Sequence, residues 1–214
     1  MIIFDLDGTL WDTTMNTYKA ANIVANLYDE VKDISLDTIK SGMGLSTEEN
    51  AKNYMPYLNE DKAVYYLNEI IKKNIETMDE DGAILYDGVY DTIINLSKKY
   101  KLGIITNNKD EYVDTFFKIS GLKNYFVDYM GAATYGITKG ETIKKMIDRN
   151  NEPNSFYVGD IEKDMVATEE AGINFIHARY GFEPKLDSQY YIDDIRNLEL
   201  LLDNLISFLS EIHE

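Results

Sequence analysis

Met1-Ile2-Ile3-Phe4-Asp5-Leu6-Asp7-Gly8-Thr9-Leu10 decides the fold. Four apolar residues make a short buried strand. Side chains alternate along a strand, so Asp5 and Asp7 leave its end on the same side. Gly8 allows a sharp turn just beyond them. Two carboxylates repelling each other at one strand end need a compensating cation or a proton. The arrangement points to a hard metal ion and a carboxylate nucleophile with its own acid/base partner. An Asp-rich turn capping a helix is the plainer alternative for the same residues, so the rest of the chain has to arbitrate.

Working outward, residues 13–30 carry apolar side chains at helical spacing, with Ala20, Ile23, Val24 and Leu27 as the stripe. Ser35 can cap a short helix through Lys40, and Ser41-Gly42-Met43-Gly44 reads as a flexible loop. Ser46 with Glu49 forms a capping box, and 61–77 is helical again. The stretch 15–78 is therefore an all-helical block. Beyond it, strands expected at 102–106, 126–130, 155–158 and 174–177 alternate with helices ending near Tyr100, Gly121, Arg149 and Ala171. An amphipathic helix over 196–212 closes the chain. Such alternation predicts an α/β fold: a Rossmann-like parallel sheet with helices on both faces and a small helical cap inserted after the first strand. The core is expected over 1–14 and 79–214, the cap over 15–78, hinged near 12–14 and 79–87.

Ligands of open parallel sheets bind at the carboxyl ends of the strands. The polar residues expected to converge there are Asp5, Asp7, Thr106, Asn107, Asp160 and Asp164, with Lys139 reaching in from a loop before a helix. Asp160 and Asp164, four residues apart, would share one face of a helical turn. Four carboxylates in one small volume are costly without a divalent cation and a lysine. Taken singly, Asp160 could be a helix N-cap, Thr106 a strand-end hydroxyl bonded to backbone, and Lys139 a surface lysine.

Composition narrows the chemistry further. The 214 residues include no cysteine and only His177 and His213, so thiolate metal sites are excluded, histidine-rich ones are disfavoured, and oxygen ligands, hence magnesium, are favoured. A net charge of −17 disfavours binding to nucleic acid. No apolar run approaches the roughly 18 residues of a membrane span. With no basic segment ahead of the first strand, a cytoplasmic location is expected.

Four segments in order resemble the motifs of the haloacid dehalogenase superfamily in its phosphatase branch. They are Asp5-Leu6-Asp7-Gly8-Thr9-Leu10, Ile105-Thr106-Asn107, Lys139, and Val158-Gly159-Asp160-Ile161-Glu162-Lys163-Asp164 followed by Ala171-Gly172. The pattern is similar to phosphoglycolate-phosphatase-like members with an α-helical cap. The resemblance implies that Asp5 attacks phosphorus and that Asp7 serves as acid and then base. It implies that Mg2+ is held by Asp5, the Asp7 backbone carbonyl and Asp160, with Asp164 orienting the metal shell or Lys139. Thr106, Asn107 and Lys139 would hold the phosphoryl oxygens, and Gly42, Met43 and Gly44 would set specificity from the cap. A small phosphorylated metabolite is the implied substrate, and a monomer or homodimer the implied assembly. A sugar-phosphate mutase or phosphotransferase, or a catalytically silent binding protein, remains compatible with the same residues. Gly140 stands where members of this branch often carry proline, so a more flexible loop is expected at Lys139.

Overall fold

Ile2 and Phe4 pack into one hydrophobic cluster while Ile3, between them, packs into another on the opposite face. That alternation is what a strand buried on both faces requires. The computed structural model describes residues 1–212. The chain begins with β1 (Ile2–Phe4) and β2 (Trp11–Asp12). Four helices follow: α1 (Thr14–Leu27), α2 (Leu36–Gly42), α3 (Thr47–Tyr54) and α4 (Glu60–Asp81). After them come β3 (Ile84–Leu85), α5 (Val89–Leu96), β4 (Leu102–Thr106), α6 (Asp110–Ser120), β5 (Asp128–Gly131) and α7 (Ala132–Tyr135). The chain then runs through α8 (Lys139–Asn150), β6 (Phe156–Gly159), α9 (Glu162–Ala171), β7 (Asn174–Ala178), β8 (Tyr191–Ile192) and α10 (Leu198–Ile212).

Among the described residues, one six-stranded sheet has the order β5-β4-β1-β6-β7-β8, parallel throughout. β1 lies inside it, with Ile3 opposite Gly103 on one side and Tyr157 on the other. Residues of α5, α6 and α10, including Ile93, Phe116 and Leu198, cover one face, and Ile143, Met146 and Ala167 of α8 and α9 cover the other. The expected α/β class with helices on both faces is what the chain forms.

The helical stretch has a core of its own, built from Ala20, Val24, Ile39, Tyr54, Leu67 and Ile70. Ser46 and Glu49 make the expected capping box of α3. Several boundaries differ from the sequence expectations. α2 runs on through Gly42, since Ser41 Oγ bonds back to Thr38 O and the chain turns extended only at Met43. β5 starts at Asp128, because a 3-10 turn over Lys123–Tyr125 precedes it. β8 is an additional strand beyond β7, too short to leave a period in the sequence. β2 and β3 were not anticipated either; they pair antiparallel, Trp11 with Leu85 and Asp12 with Ile84, where the chain enters and leaves the helical stretch. Trp11 is fully buried there against the rings of Tyr112 and Phe116, a packing role at the junction.

Candidate active site

At the carboxyl end of β1 the chain makes a turn that only glycine fits. Gly8 has φ +84°, and a Cβ there would lie 2.1 Å from Asp160 Oδ2. The turn brings the first acidic pair against the end of β6. Asp5, Asp7, Asp160, Asp164 and Lys139 are all buried together. Lys139 Nζ donates to Asp5 Oδ1 at 2.8 Å and to Asp164 Oδ1 at 2.6 Å, and it lies 5.7 Å from the ring centre of Tyr157.

Asp160 and Asp164 meet, but not on one helical face. Asp160 precedes α9, and the N-cap residue is Ile161. Asp164 Oδ2 instead folds back to accept the backbone N–H of Asp160 at 3.1 Å and of Ile161 at 3.5 Å. Asp160 is held from elsewhere: Phe182 N–H donates to its Oδ2 at 2.7 Å and Thr9 Oγ1 to its Oδ1 at 3.4 Å. Lys139 is likewise not in a loop. It is the first residue of α8, whose N-cap Thr138 forms a capping box with Glu141. The flexible loop expected from Gly140 is therefore absent, and the glycine has a packing reason. A Cβ there would stand 2.4 Å from Glu170 Oε2 and 3.2 Å from Ala167 O, so its absence lets α8 and α9 approach closely.

Asp7 turns away from this cluster. Its Oδ1 accepts the Thr13 hydroxyl at 2.6 Å and the Tyr112 hydroxyl at 2.8 Å. Burial pushes Asp7 up to about 6, against the lowering effect of these two hydrogen bonds. Burial raises Asp5 to about 7 despite the lowering effect of Lys139. Asp160 is held well above the carboxylate range by burial and then by the charges of Asp164 and Asp5. Burial alone would lower Lys139, but Asp164 and Asp5 outweigh it and hold the ammonium charged.

Thr106 is buried at the end of β4, where its Oγ1 accepts the Asn108 N–H. The Asn107 amide donates to Gly44 O at 2.9 Å, tying the sheet to the segment after α2. Gly42, Met43 and Gly44 line one wall of a cavity of about 60 Å3 whose floor is Asp5, Asp7, Thr106, Asn107 and Lys139. Lys163 of α9 pairs with Glu49 of α3 beside an adjoining cleft, and Phe182 packs on the helical core. Sequence reasoning missed Thr13, Tyr112 and Phe182, whose contacts depend on long-range folding. His177 sits buried in β7, and His213 lies outside the described residues.

One carboxylate oxygen from each of Asp5, Asp160 and Asp164 can be chosen so that all lie within 4.8 Å of one another. An all-oxygen, strongly anionic, buried donor set fits a hard divalent cation such as Mg2+. The rise in the Asp5 and Asp160 affinities for protons shows the same unmet need for positive charge.

The chain is similar to known proteins. The family model described as "Haloacid dehalogenase-like hydrolase" matches residues 2–178. A phosphoglycolate phosphatase of Aliivibrio fischeri is 26% identical over 209 residues, covering 88% of this chain and 89% of that protein. The pyrophosphatase PpaX of Listeria innocua is 28% identical over 131 residues, covering 61% and 58% respectively. A haloacid dehalogenase-like family hydrolase of Streptococcus pneumoniae has the same fold, with a TM-score of 0.78 at 21% identity over 94% of this chain and 97% of that one.

Proposed function

The chain belongs to the haloacid dehalogenase-like hydrolase family, and we propose that it is a Mg2+-dependent phosphatase acting on a small phosphomonoester through an aspartyl-phosphate. The observation that carries this reading is the division of labour between two carboxylates two residues apart. Burial raises both without metal, Asp5 to about 7 and Asp7 to about 6, but their partners differ. Asp5 lies in the acidic cluster against the Lys139 ammonium, where a bound cation would hold it ionised, while Asp7 turns away to the Thr13 and Tyr112 hydroxyls. Different environments for two neighbouring carboxyls are how one site obtains both a nucleophile and an acid.

In the proposed sequence, an Asp5 oxygen attacks phosphorus as the bond from phosphorus to the leaving alcohol breaks. Asp7 gives its proton to the departing oxygen, then takes one from the water that attacks the phosphoryl group. That second step releases inorganic phosphate and frees Asp5. Lys139, the Thr106 hydroxyl and the Asn107 amide position the phosphoryl oxygens and offset their charge. Asp5, the Asp7 carbonyl and Asp160 would hold the cation, and Asp164, already bonded to Lys139, orients the set. When bound, the cation supplies neutralisation of the charge spread over the phosphoryl group.

Residues 15–78 act in this reading as a cap domain hinged at the β2–β3 pair, excluding water while the site is closed. Release of phosphate from small phosphomonoesters, with Mg2+ and with EDTA, tests the assignment. Turnover that needs Mg2+ and vanishes in Asp5→Asn is expected. Transfer of the phosphoryl group to a second alcohol with no free phosphate would replace it with the mutase reading.

A further inference from the structure

The wall of the cavity opposite the acidic cluster carries no charged side chain. It is made by Thr17 of α1, Asn50 and Tyr54 of α3, Asn74 of α4, and apolar residues such as Met43 and Ile70. Lys109 and Lys163 line an adjoining cleft rather than this cavity, and Lys163 is paired there with Glu49. Among the described residues, the only cation lining the cavity is Lys139, already shared by two aspartates.

Asn74 is 5% exposed. Its amide nitrogen donates to Thr17 Oγ1 at 3.0 Å, and its Oδ1 has no partner. Asn50 Oδ1 is likewise buried without one. Thr17, accepting from Asn74, keeps its own proton to donate. A buried amide oxygen left unpaired is costly; any O–H or N–H donor satisfies it, and a neutral hydroxyl does so without burying a charge and can also accept the Thr17 proton. A carboxylate or a second phosphate placed here would be buried without a counter-charge and would face acceptor oxygens.

Resting on the phosphatase reading above, we propose that the leaving group is a short uncharged alcohol bearing at least one further hydroxyl, recognised by Asn74, Asn50 and Thr17. Phosphoglycolate and pyrophosphate, for which two relatives are named, would then be poor substrates. The cavity, about 60 Å3 and walled by α1, α3 and α4, suits a short leaving group beside the phosphoryl group.

The test compares two esters with the same carbon skeleton, 2-hydroxyethyl phosphate and phosphoglycolate, with ethyl phosphate as the analogue lacking the hydroxyl. The full chain with Mg2+ should show kcat/KM at least tenfold higher for 2-hydroxyethyl phosphate than for either. Parity, or a preference for phosphoglycolate, overturns the inference and leaves the phosphatase reading standing. No hydrolysis of any of the three by folded protein overturns both. In Asn74→Leu the advantage of 2-hydroxyethyl over ethyl phosphate should fall about tenfold, mainly through KM. Thr17→Val supplies the same reading at a less buried position. An unchanged ratio in both folded variants overturns the residue assignment.

Discussion

Removing the Tyr112 hydroxyl should move the pH profile of the reaction toward alkali. Tyr112 Oη donates to Asp7 Oδ1 at 2.8 Å, and this bond favours the charged carboxylate. A hydrogen bond to a charged group contributes about 1.5–3 kcal/mol, and one pKa unit corresponds to about 1.4 kcal/mol. Its loss in Tyr112→Phe therefore raises Asp7 from about 6 by roughly 1–2 units. The phenyl ring keeps the packing against Trp11 and Phe116, and Thr13 still donates to Asp7, so the geometry is preserved. Because Asp7 must be protonated to release the alcohol and ionised to activate water, both limbs of the kcat profile shift together. The assay is phosphate release between pH 4.5 and 9.5 with an unactivated alkyl ester, for which leaving-group protonation matters most. A profile displaced by less than about 0.3 unit, or displaced toward acid, would refute the assignment of Asp7 as the proton-transfer group.

Three further outcomes follow from the same geometry. Asp5, Asp7 and Asp160 bind protons more tightly in the folded protein than in the unfolded chain, so stability without metal falls as pH rises from about 4 to 7. Asp7 alone, at about 6 against 3.8, accounts for about 3 kcal/mol by pH 7; in EDTA the Tm should be higher at pH 5 than at pH 7.5, with Mg2+ narrowing the gap, and a reversed order would contradict the burial argument. Lys139→Met leaves Asp5 and Asp164 facing each other without a cation, so kcat should drop at least a hundredfold; thermal melts in EDTA should show a loss of about 3–5 kcal/mol at neutral pH. In Gly181→Ala the new methyl would meet Gly8 O and the Asp160 side chain, and the Mg2+ concentration for half-maximal activity should rise about 10–100-fold; an unchanged requirement would separate this loop from the metal site.

The sequence made the sheet legible because each inner strand is an apolar run closed by a polar or glycine residue. Ile2–Phe4 before Asp5, and Phe156–Gly159 before Asp160, carry both the burial and the site in a few consecutive positions. Strands of two residues, such as Trp11–Asp12 and Tyr191–Ile192, show no period and emerge only from pairing. The site divides in the same way. The aspartates and Lys139 stand where strands and a helix end. Tyr112 lies 105 residues from Asp7 in a helix whose pattern marks it only as one more half-polar aromatic. Phe182 acts through its backbone N–H, which no residue type advertises. The four-residue spacing of Asp160 and Asp164 suggests a shared helical face, but what joins them is the Asp164 carboxylate capping the start of α9.

The most direct test of the chemistry is to trap the covalent species. Protein in excess over a phosphoryl-labelled nitrophenyl ester, whose leaving group departs without a proton, would be mixed with Mg2+, quenched in acid within milliseconds and digested. Label retained on the peptide carrying Asp5, absent in Asp5→Asn and accumulating in Asp7→Asn, is the predicted result. Free phosphate appearing at the full rate with no label ever on Asp5 would contradict nucleophilic attack by this residue.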